Sequence, residues 1–171
     1  MNPLGMSDVR DPETLMEEVV KGLVSRALTA DDPLTRKHAI YLLAMTGNPG
    51  CAELFMRALR DPEKMVRAQA TLALAGIGEP AVGQLIELLN DPDWKVRYRA
   101  AEALGLIKEK KSVSPLIGLL WDEKDHVRYM AAKSLGALGS REARGALEAR
   151  LSDENPYVQR MAESALSMVG K

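Results

Sequence analysis

The sequence predicts an all-α solenoid of about five two-helix units, because one residue pattern returns five times along the chain. The reference residue of this pattern lies at positions 35, 66, 96, 127 and 158, with spacings of 31, 30, 31 and 31 residues. In every unit an alanine follows four residues later and a leucine follows eight residues later. A fixed period of this length is typical of stacked supersecondary units, none of which can bury its apolar face alone.

The composition fits closely packed helices and disfavours both nucleic-acid binding and a disulfide-stabilised fold. Hydrophobic residues make up 46% of the chain but aromatic residues only 4%, so the core must consist of Leu, Ala, Val, Ile and Met. The 23 Lys and Arg residues are balanced by 24 Asp and Glu residues. A protein that holds nucleic acid mainly through phosphate contacts is usually basic. The single cysteine, Cys51, also excludes an internal disulfide framework.

The cellular location is predicted from the lengths of the apolar segments, which are too short for a signal peptide or a membrane-spanning helix. The first 18 residues carry acidic side chains and no apolar run as long as that of a signal peptide. No segment reaches the roughly 20 apolar residues that a membrane-spanning helix needs. The sequence therefore predicts a cytoplasmic protein.

The repeat defines a flexible leader, residues 1–10, and one repeat domain, residues 11–171. The predicted units are about 11–47, 48–78, 79–108, 109–139 and 140–170. The first helix, from residue 12 to about residue 28, is long and carries acidic residues, so we interpret it as a polar N-terminal cap. The later first helices are predicted at about 51–60, 81–90, 112–121 and 142–151. The second helices begin near 33, 63, 94, 125 and 156 and run for about fourteen residues.

Caps predict where the second helices begin and end. Asp32-Pro33 and Asn155-Pro156 are typical of an N-cap followed by proline at the first helical position. Each unit then ends at a position that suits a left-handed residue. These positions are Gly47, Gly78, Lys108, Gly139 and Gly170.

A second set of small residues recurs inside the first helices, at Gly22, Gly83, Ser114 and Gly145. Since glycine within a helix costs about 1 kcal/mol relative to alanine, its recurrence predicts a close approach between neighbouring units. The alternative is that glycine is merely tolerated on an exposed face.

The sequence motif Asp-Pro-x-x-x-Val-Arg-x-x-Ala-x-x-Ala-Leu, at residues 61–74 and 91–104, resembles a HEAT repeat. It is most similar to the short HEAT-like subtype named after phycobilisome lyases, and the resemblance covers about residues 12–170. It implies a right-handed, armadillo-like superhelix, in a family composed chiefly of interaction scaffolds. A fold of this kind does not by itself define a function.

The resemblance also implies a structural ladder of Asp and Arg along the stack. The first unit has Ala30 where later units have Asp, and the last has Gln159 where earlier units have Arg. This asymmetry predicts that the Arg of each unit reaches the Asp of the next. The alternative is that each Asp only satisfies its own inter-helix turn. The predicted pairs are Arg36–Asp61, Arg67–Asp91, Arg97–Asp122 and Arg128–Asp153.

The second helices supply the candidate binding surface. Positions 2, 6 and 10 after the reference residue share one side of the helix, which in HEAT-type stacks lines the concave face. Tyr, Met and Arg are enriched at interface cores, and the strip is mildly basic, so an acidic peptide or helix would suit it. The alternative is ordinary partial burial between adjacent helices. The predicted partner-binding residues are Lys37, Tyr41, Leu72, Tyr98, Arg99, Glu102, Tyr129, Lys133 and Arg160.

No constellation in the sequence predicts catalysis, a cofactor or a metal. His38 and His126 lie in different units and neither is followed by Glu, unlike the His-Glu pairs of the HEAT-repeat deoxyhypusine hydroxylases. Cys51 takes a position where other units have alanine, which predicts a small packing residue. Trp94 and Trp121 are predicted to pack over the inter-helix turns.

The sequence therefore predicts a non-enzymatic scaffold or adaptor that binds another protein on its concave face. One alternative is a phycobilin-lyase-like chromophore-binding protein or lyase subunit, and another is a nucleic-acid-binding HEAT-like protein. Polar residues in the last unit favour a monomer, whereas Met161, Ala165 and Met168 leave open a homodimer through that end.

Overall fold

The structure is a computed structural model that describes residues 12–170. The predicted leader, residues 1–10, lies outside the described residues. Within residues 12–170 all regular structure is helical. The α-helices of this part are α1 (Pro12–Thr29), α2 (Pro33–Met45), α3 (Ala52–Ala58), α4 (Lys64–Ile77), α5 (Val82–Glu87), α6 (Trp94–Ile107), α7 (Val113–Gly118), α8 (Asp125–Leu138), α9 (Arg144–Ala149) and α10 (Pro156–Met168).

The second helices of the five units, α2, α4, α6, α8 and α10, pack side by side along the stack. The first helices are less regular than predicted. Only six or seven residues of α3, α5, α7 and α9 are α-helical, and tight 3₁₀ turns begin or end these segments. The turns are Pro49–Cys51, Glu79–Ala81, Leu88–Asn90, Lys110–Ser112, Leu119–Trp121, Arg141–Ala143 and Arg150–Ser152. The tighter turns shorten each first helix before the chain reverses.

The predicted N-caps of α2 and α10 are confirmed, and the predicted left-handed end positions hold except at Gly78, whose ψ of −138° lies outside the left-handed helical region. The Asp32 carboxylate accepts a hydrogen bond from the Thr35 amide at 2.8 Å, and Asn155 Oδ1 accepts one from the Tyr157 amide at 2.8 Å. All four predicted glycines have a positive φ. Lys108 is the non-glycine residue at this position, and it has left-handed backbone angles with φ of 62°.

A continuous core runs from α1 to α10. The alanines four residues after each reference position are buried, and so are the leucines eight residues after it in the first four units. Leu166, the corresponding leucine of α10, is half-buried. The exposed face of α1 carries Glu17 and Lys21, as expected for a polar cap, but Met16 and Val19 are exposed as well.

Close approaches between units occur at glycines of the second helices. A Cβ atom on Gly105 would lie 2.9 Å from Ser134 Cα, and one on Gly136 would lie 3.0 Å from Ala165 Cα. The prediction of close approach within the first helices is wrong. Gly22, Gly83 and Gly145 are exposed and have open space where a Cβ would be.

No single helix among residues 12–170 has the length and apolar composition to cross a membrane. One pair of segments, Lys64–Ile77 and Glu79–Asn90, meets those two criteria when combined, but it is bent by 117°.

Candidate protein-interaction surface

Three of the four predicted ladder pairs are present as bidentate ion pairs, in which two N–H groups of one guanidinium donate to one carboxylate. The Arg36 Nε and Nη2 groups donate to the Asp61 carboxylate at 2.7 and 2.9 Å. Arg97 holds Asp122 at 2.7 and 2.8 Å, and Arg128 holds Asp153 at 2.9 Å through both groups. The Nη1 group of each arginine donates to carbonyls of its own inter-helix turn. One guanidinium therefore fixes its own turn and the next unit together.

Each ladder aspartate also stabilises its own turn. In all four cases its Oδ1 atom accepts a hydrogen bond at 2.9 Å from the amide two residues later. The two interpretations of the aspartates made from the sequence are therefore compatible. In the last unit the Gln159 side chain donates to the Asp153 carbonyl, so it replaces only the contact that arginine makes with its own turn.

The predicted Arg67–Asp91 pair is wrong. Arg60, at the end of the first helix of the same unit, forms the ion pair with the Asp91 carboxylate instead. Arg67 keeps its Nη1 bonds to the Asp61 and Pro62 carbonyls at 2.6 and 2.7 Å. Its Nε atom is buried and has no partner among the described residues. The pair is missing because Asp91 Oδ2 is already bound to Arg60.

Most of the predicted partner-binding strip reaches the surface. Tyr41, Leu72, Lys133 and Arg160 are exposed, and Lys37, Tyr98, Glu102 and Tyr129 are half-buried. Arg99 does not fit the prediction, because only 8% of it is exposed. Its Nη1 group donates to Glu102 Oε2 at 2.6 Å, and its guanidinium lies 5.3 Å from the Tyr98 ring centre. Arg99 and Glu102 thus neutralise each other at the base of the strip.

Two adjoining cavities lie beside this strip, near the beginnings of the second helices. One of about 420 Å³ is lined chiefly by Tyr98, His126, Tyr129 and Tyr157, with the acid Asp125 also on its wall. The other, of about 240 Å³, is lined by Lys64, Arg67, Trp94, Lys95, Tyr98, Arg99 and His126. Tyr98 and His126 line both cavities, so the two adjoin at these side chains. We call the two cavities together the aromatic groove, defined by Trp94, Tyr98, His126, Tyr129 and Tyr157.

The sequence interpretation missed three members of the groove, Trp94, His126 and Tyr157. The Trp94 and His126 ring centres lie 5.4 Å apart, and His126 Nδ1 is 2.7 Å from Asp125 Oδ1. These residues lie one or two positions before the reference residue. On a helix of 3.6 residues per turn, those positions share a side with positions 2, 6 and 10. Extending the strip backwards by one turn would have found them.

The remaining candidates for chemistry lie outside the groove. Cys51 is buried, and burial raises the pKa of its thiol, which disfavours the reactive thiolate. His38 is exposed in α2. The part of the chain that the structure describes contains no cluster of three or more His, Cys, Asp or Glu residues able to hold a metal ion. Trp121 is exposed and stacks with the guanidinium of Arg150 at 5.1 Å.

The family model described as HEAT repeats matches residues 20–87 and 82–167, which together span most of the chain. The chain belongs to the HEAT-repeat family. Among curated protein sequences, this HEAT-repeat protein has no significant match.

Solved structures similar to this HEAT-repeat protein confirm the all-α solenoid. The CpcE and CpcF complex of phycocyanin lyase from Nostoc sp. matches with a TM-score of 0.66 and 24% identity, over 88% of this chain and 65% of that chain. A designed armadillo repeat protein in complex with the peptide (KR)4 matches with a TM-score of 0.58 and 22% identity, over 91% of this chain and 84% of that chain. Human deoxyhypusine hydroxylase in complex with glycerol matches with a TM-score of 0.54 and 21% identity, over 89% of this chain and 74% of that chain. At these identities the likeness shows the fold alone.

Proposed function

We propose that this HEAT-repeat protein is a non-enzymatic, cytoplasmic scaffold or adaptor that binds a partner protein on its concave face. The observation that carries the proposal is the aromatic groove, which adjoins the strip of exposed Tyr, Leu and Met side chains on the second helices. Aromatic residues that are partly buried in a depression are typical anchors of protein interfaces.

The ladder supports this proposal because it holds the groove in one shape before binding. Bidentate Arg–Asp pairs fix the third unit to the fourth and the fourth to the fifth, which are the units that line the larger cavity. A surface that is already ordered loses less conformational entropy when a partner binds.

The charges along the strip favour an acidic partner. Lys37, Lys133 and Arg160 form no ion pair within residues 12–170, whereas the one acid of the strip, Glu102, is neutralised by Arg99. The similar designed armadillo protein was solved with a peptide, which supports a peptide-like partner for this surface. That peptide is basic, whereas the charges on this chain favour the opposite sign.

The proposal predicts that a variant of the strip loses its partner while the fold is kept. Tyr98→Ala/Tyr129→Ala/Lys133→Glu removes two anchors and reverses one free charge, so it should retain less than about a tenth of the partner captured by the wild type. Affinity capture from a lysate of the source organism, followed by mass spectrometry, measures this ratio.

The matched control carries three changes on exposed positions of the first helices, Arg57→Glu/Gln84→Ala/Glu87→Ala. It should capture as much partner as the wild type. If the control loses the partner and the strip variant keeps it, the binding surface lies on the first helices and the proposal is wrong.

The second candidate function is a lyase-like chromophore-binding protein, favoured by the aromatic cavity of about 420 Å³. This volume lies within the range of small-molecule sites. The similarity to the phycocyanin lyase complex adds to this candidate. Mixing the protein with a free bilin distinguishes the two functions, because a bound chromophore shifts its absorbance and a scaffold leaves it unchanged.

A further inference from the structure

We propose that Arg67 forms a carboxylate-binding site at one end of the aromatic groove, which takes an Asp or Glu side chain from an extended, otherwise apolar segment of the partner protein. This inference rests on the proposed function, and it specifies the partner's chemistry and the position at which its acid is held.

The ladder leaves one arginine, Arg67, without its carboxylate. In Arg36, Arg97 and Arg128 the Nε and Nη2 groups both donate to a carboxylate. Arg67 occupies the same position in its unit, and only 9% of it is exposed. Its Nε group has no acceptor among the described residues. A buried guanidinium N–H without an acceptor is unfavourable, so a carboxylate supplied from outside would relieve that cost.

The position of Arg67 in the fold also favours a ligand. Arg67 lines the cavity of about 240 Å³, next to Trp94 and Tyr98. Arg97 and Arg128 line other cavities, beside Trp121. Arg67 therefore lies on the wall of the aromatic groove, whereas Arg97 and Arg128 lie against other cavities.

The charged side chains that line the cavity of about 240 Å³ are all Lys or Arg. Lys64 and Lys95 also line it, and neither forms an ion pair within the part of the chain that the structure describes. The remaining cation, Arg99, is already paired with Glu102. Two free ammonium groups and one incompletely bonded guanidinium would attract an acidic segment and repel a basic one.

The shape of the groove favours an extended segment. The shared residues Tyr98 and His126 connect the Arg67 end to the larger cavity beside Tyr129 and Tyr157. Helices pack about 8–10 Å apart, so the three spacings between α4 and α10 make the groove roughly 24–30 Å long. An extended chain spans that distance in about eight residues. An acid near one end and an apolar or aromatic side chain near the other would reach both cavities.

The test uses two labelled peptides of about eight residues that alternate Leu and Phe with Ser. One peptide carries Glu near one end, and the other carries Gln there. We expect the Glu peptide to bind the wild-type protein roughly tenfold or more tightly, because a charge-assisted hydrogen bond to a guanidinium is lost with Gln. Fluorescence anisotropy measures both affinities.

Three variants then assign this preference to Arg67. Arg67→Gln should abolish the preference for Glu, whereas Arg57→Gln, which removes a cation from the exposed face of α3, should keep it. Arg60→Ala keeps Arg67 but releases Asp91 Oδ2, which should then pair with Arg67. That variant should also lose the preference, and circular dichroism should show that all three remain folded.

The inference is overturned if the two peptides bind the wild type equally, if neither binds, or if Arg67→Gln keeps the preference. Any of these results leaves the proposed function standing, provided the strip variant still loses its captured partner. The proposed function can also fail while the carboxylate site is supported. A Glu preference that depends on Arg67, together with a partner that the strip variant keeps, would support the carboxylate site and contradict the proposed strip.

Discussion

At the scale of single residues, the ladder arginines act on two units at once. Arg97 donates through Nη1 to the Asp91 carbonyl of its own turn and through Nε and Nη2 to Asp122 of the next unit. Burying these charges has a desolvation cost that offsets much of their attraction. Their clearest effect is therefore to fix the relative position of neighbouring units. That position determines where Tyr98 and Tyr129 meet across the groove.

The ladder aspartates predict a loss of stability in acid. Hydrogen bonding from Arg60 lowers the pKa of Asp91 below its usual value. Burial alone would raise the pKa of Asp61 and of Asp153, but hydrogen bonds from Arg36 and Arg128 also lower both below that value. The folded state thus binds these protons less readily than the unfolded chain. The stabilisation is complete above about pH 5 and is lost as the pH falls through the lowered pKa values.

Thermal melting across this range measures the effect, and the melting temperature should fall between about pH 5 and pH 2. Asp153→Asn should make that fall smaller. The control Glu154→Gln alters an 84% exposed partner of the same Arg128 and should leave the fall unchanged. Equal pH dependence in the wild type and in Asp153→Asn would contradict the role given to the ladder.

The residue-level predictions succeed where the repeat pattern alone determines the contact. Arg36, Arg97 and Arg128 could be paired from their positions, because each unit repeats the same geometry. Arg67 could not, since its competitor Arg60 lies outside the repeat pattern, where other units have Asn90, Trp121 and Ser152. Arg99 was predicted to reach the surface, but its pairing with Glu102 depends on side-chain conformations that periodicity does not determine.

At the scale of the helices, the close packing of α6 against α8 makes a testable distinction between glycines. Gly105→Ala would place a methyl group 2.9 Å from Ser134 Cα, so the helices must separate and the free energy of unfolding should fall by about 1–3 kcal/mol. Gly83→Ala adds a methyl group in open space within α5 and should raise stability by about 0.5–1 kcal/mol.

Urea denaturation of the two variants provides the measurement, and the opposite signs make each variant a control for the other. If both substitutions stabilise the protein, the second helices pack less closely than the structure shows. If both destabilise it, the open space at Gly83 is in doubt.

The second helices were the easier elements to predict. Their caps and the spacing of Ala and Leu define both ends, and α6 and α8 begin at the predicted residues 94 and 125. The first helices have no such spacing of caps, and their 3₁₀ turns depend on packing against the next unit. The groove was predicted only in part. Trp94 and His126 precede the apolar stripe, and the sequence suggested a role over the inter-helix turn for Trp94 and no binding role for His126.

At the scale of the whole molecule, the units form one continuous core, with the proposed binding residues on one side. Each unit contacts mainly its neighbours, as in other repeat proteins. Of the residues that left a homodimer open, Ala165 is buried near Gly136, Met161 is half-buried against the core, and Met168 is 47% exposed. One exposed methionine offers little apolar area for a stable dimer, so we propose a monomer.

A partner in the groove at the beginnings of α6 and α8 would shield the backbone amides there from solvent. Hydrogen–deuterium exchange of the protein alone and with its captured partner measures this shielding. We expect slower exchange in the complex at residues 93–99 and 124–130, with no change across α5 and α7. Slower exchange confined to α5 and α7, with the groove unchanged, would contradict binding in the groove.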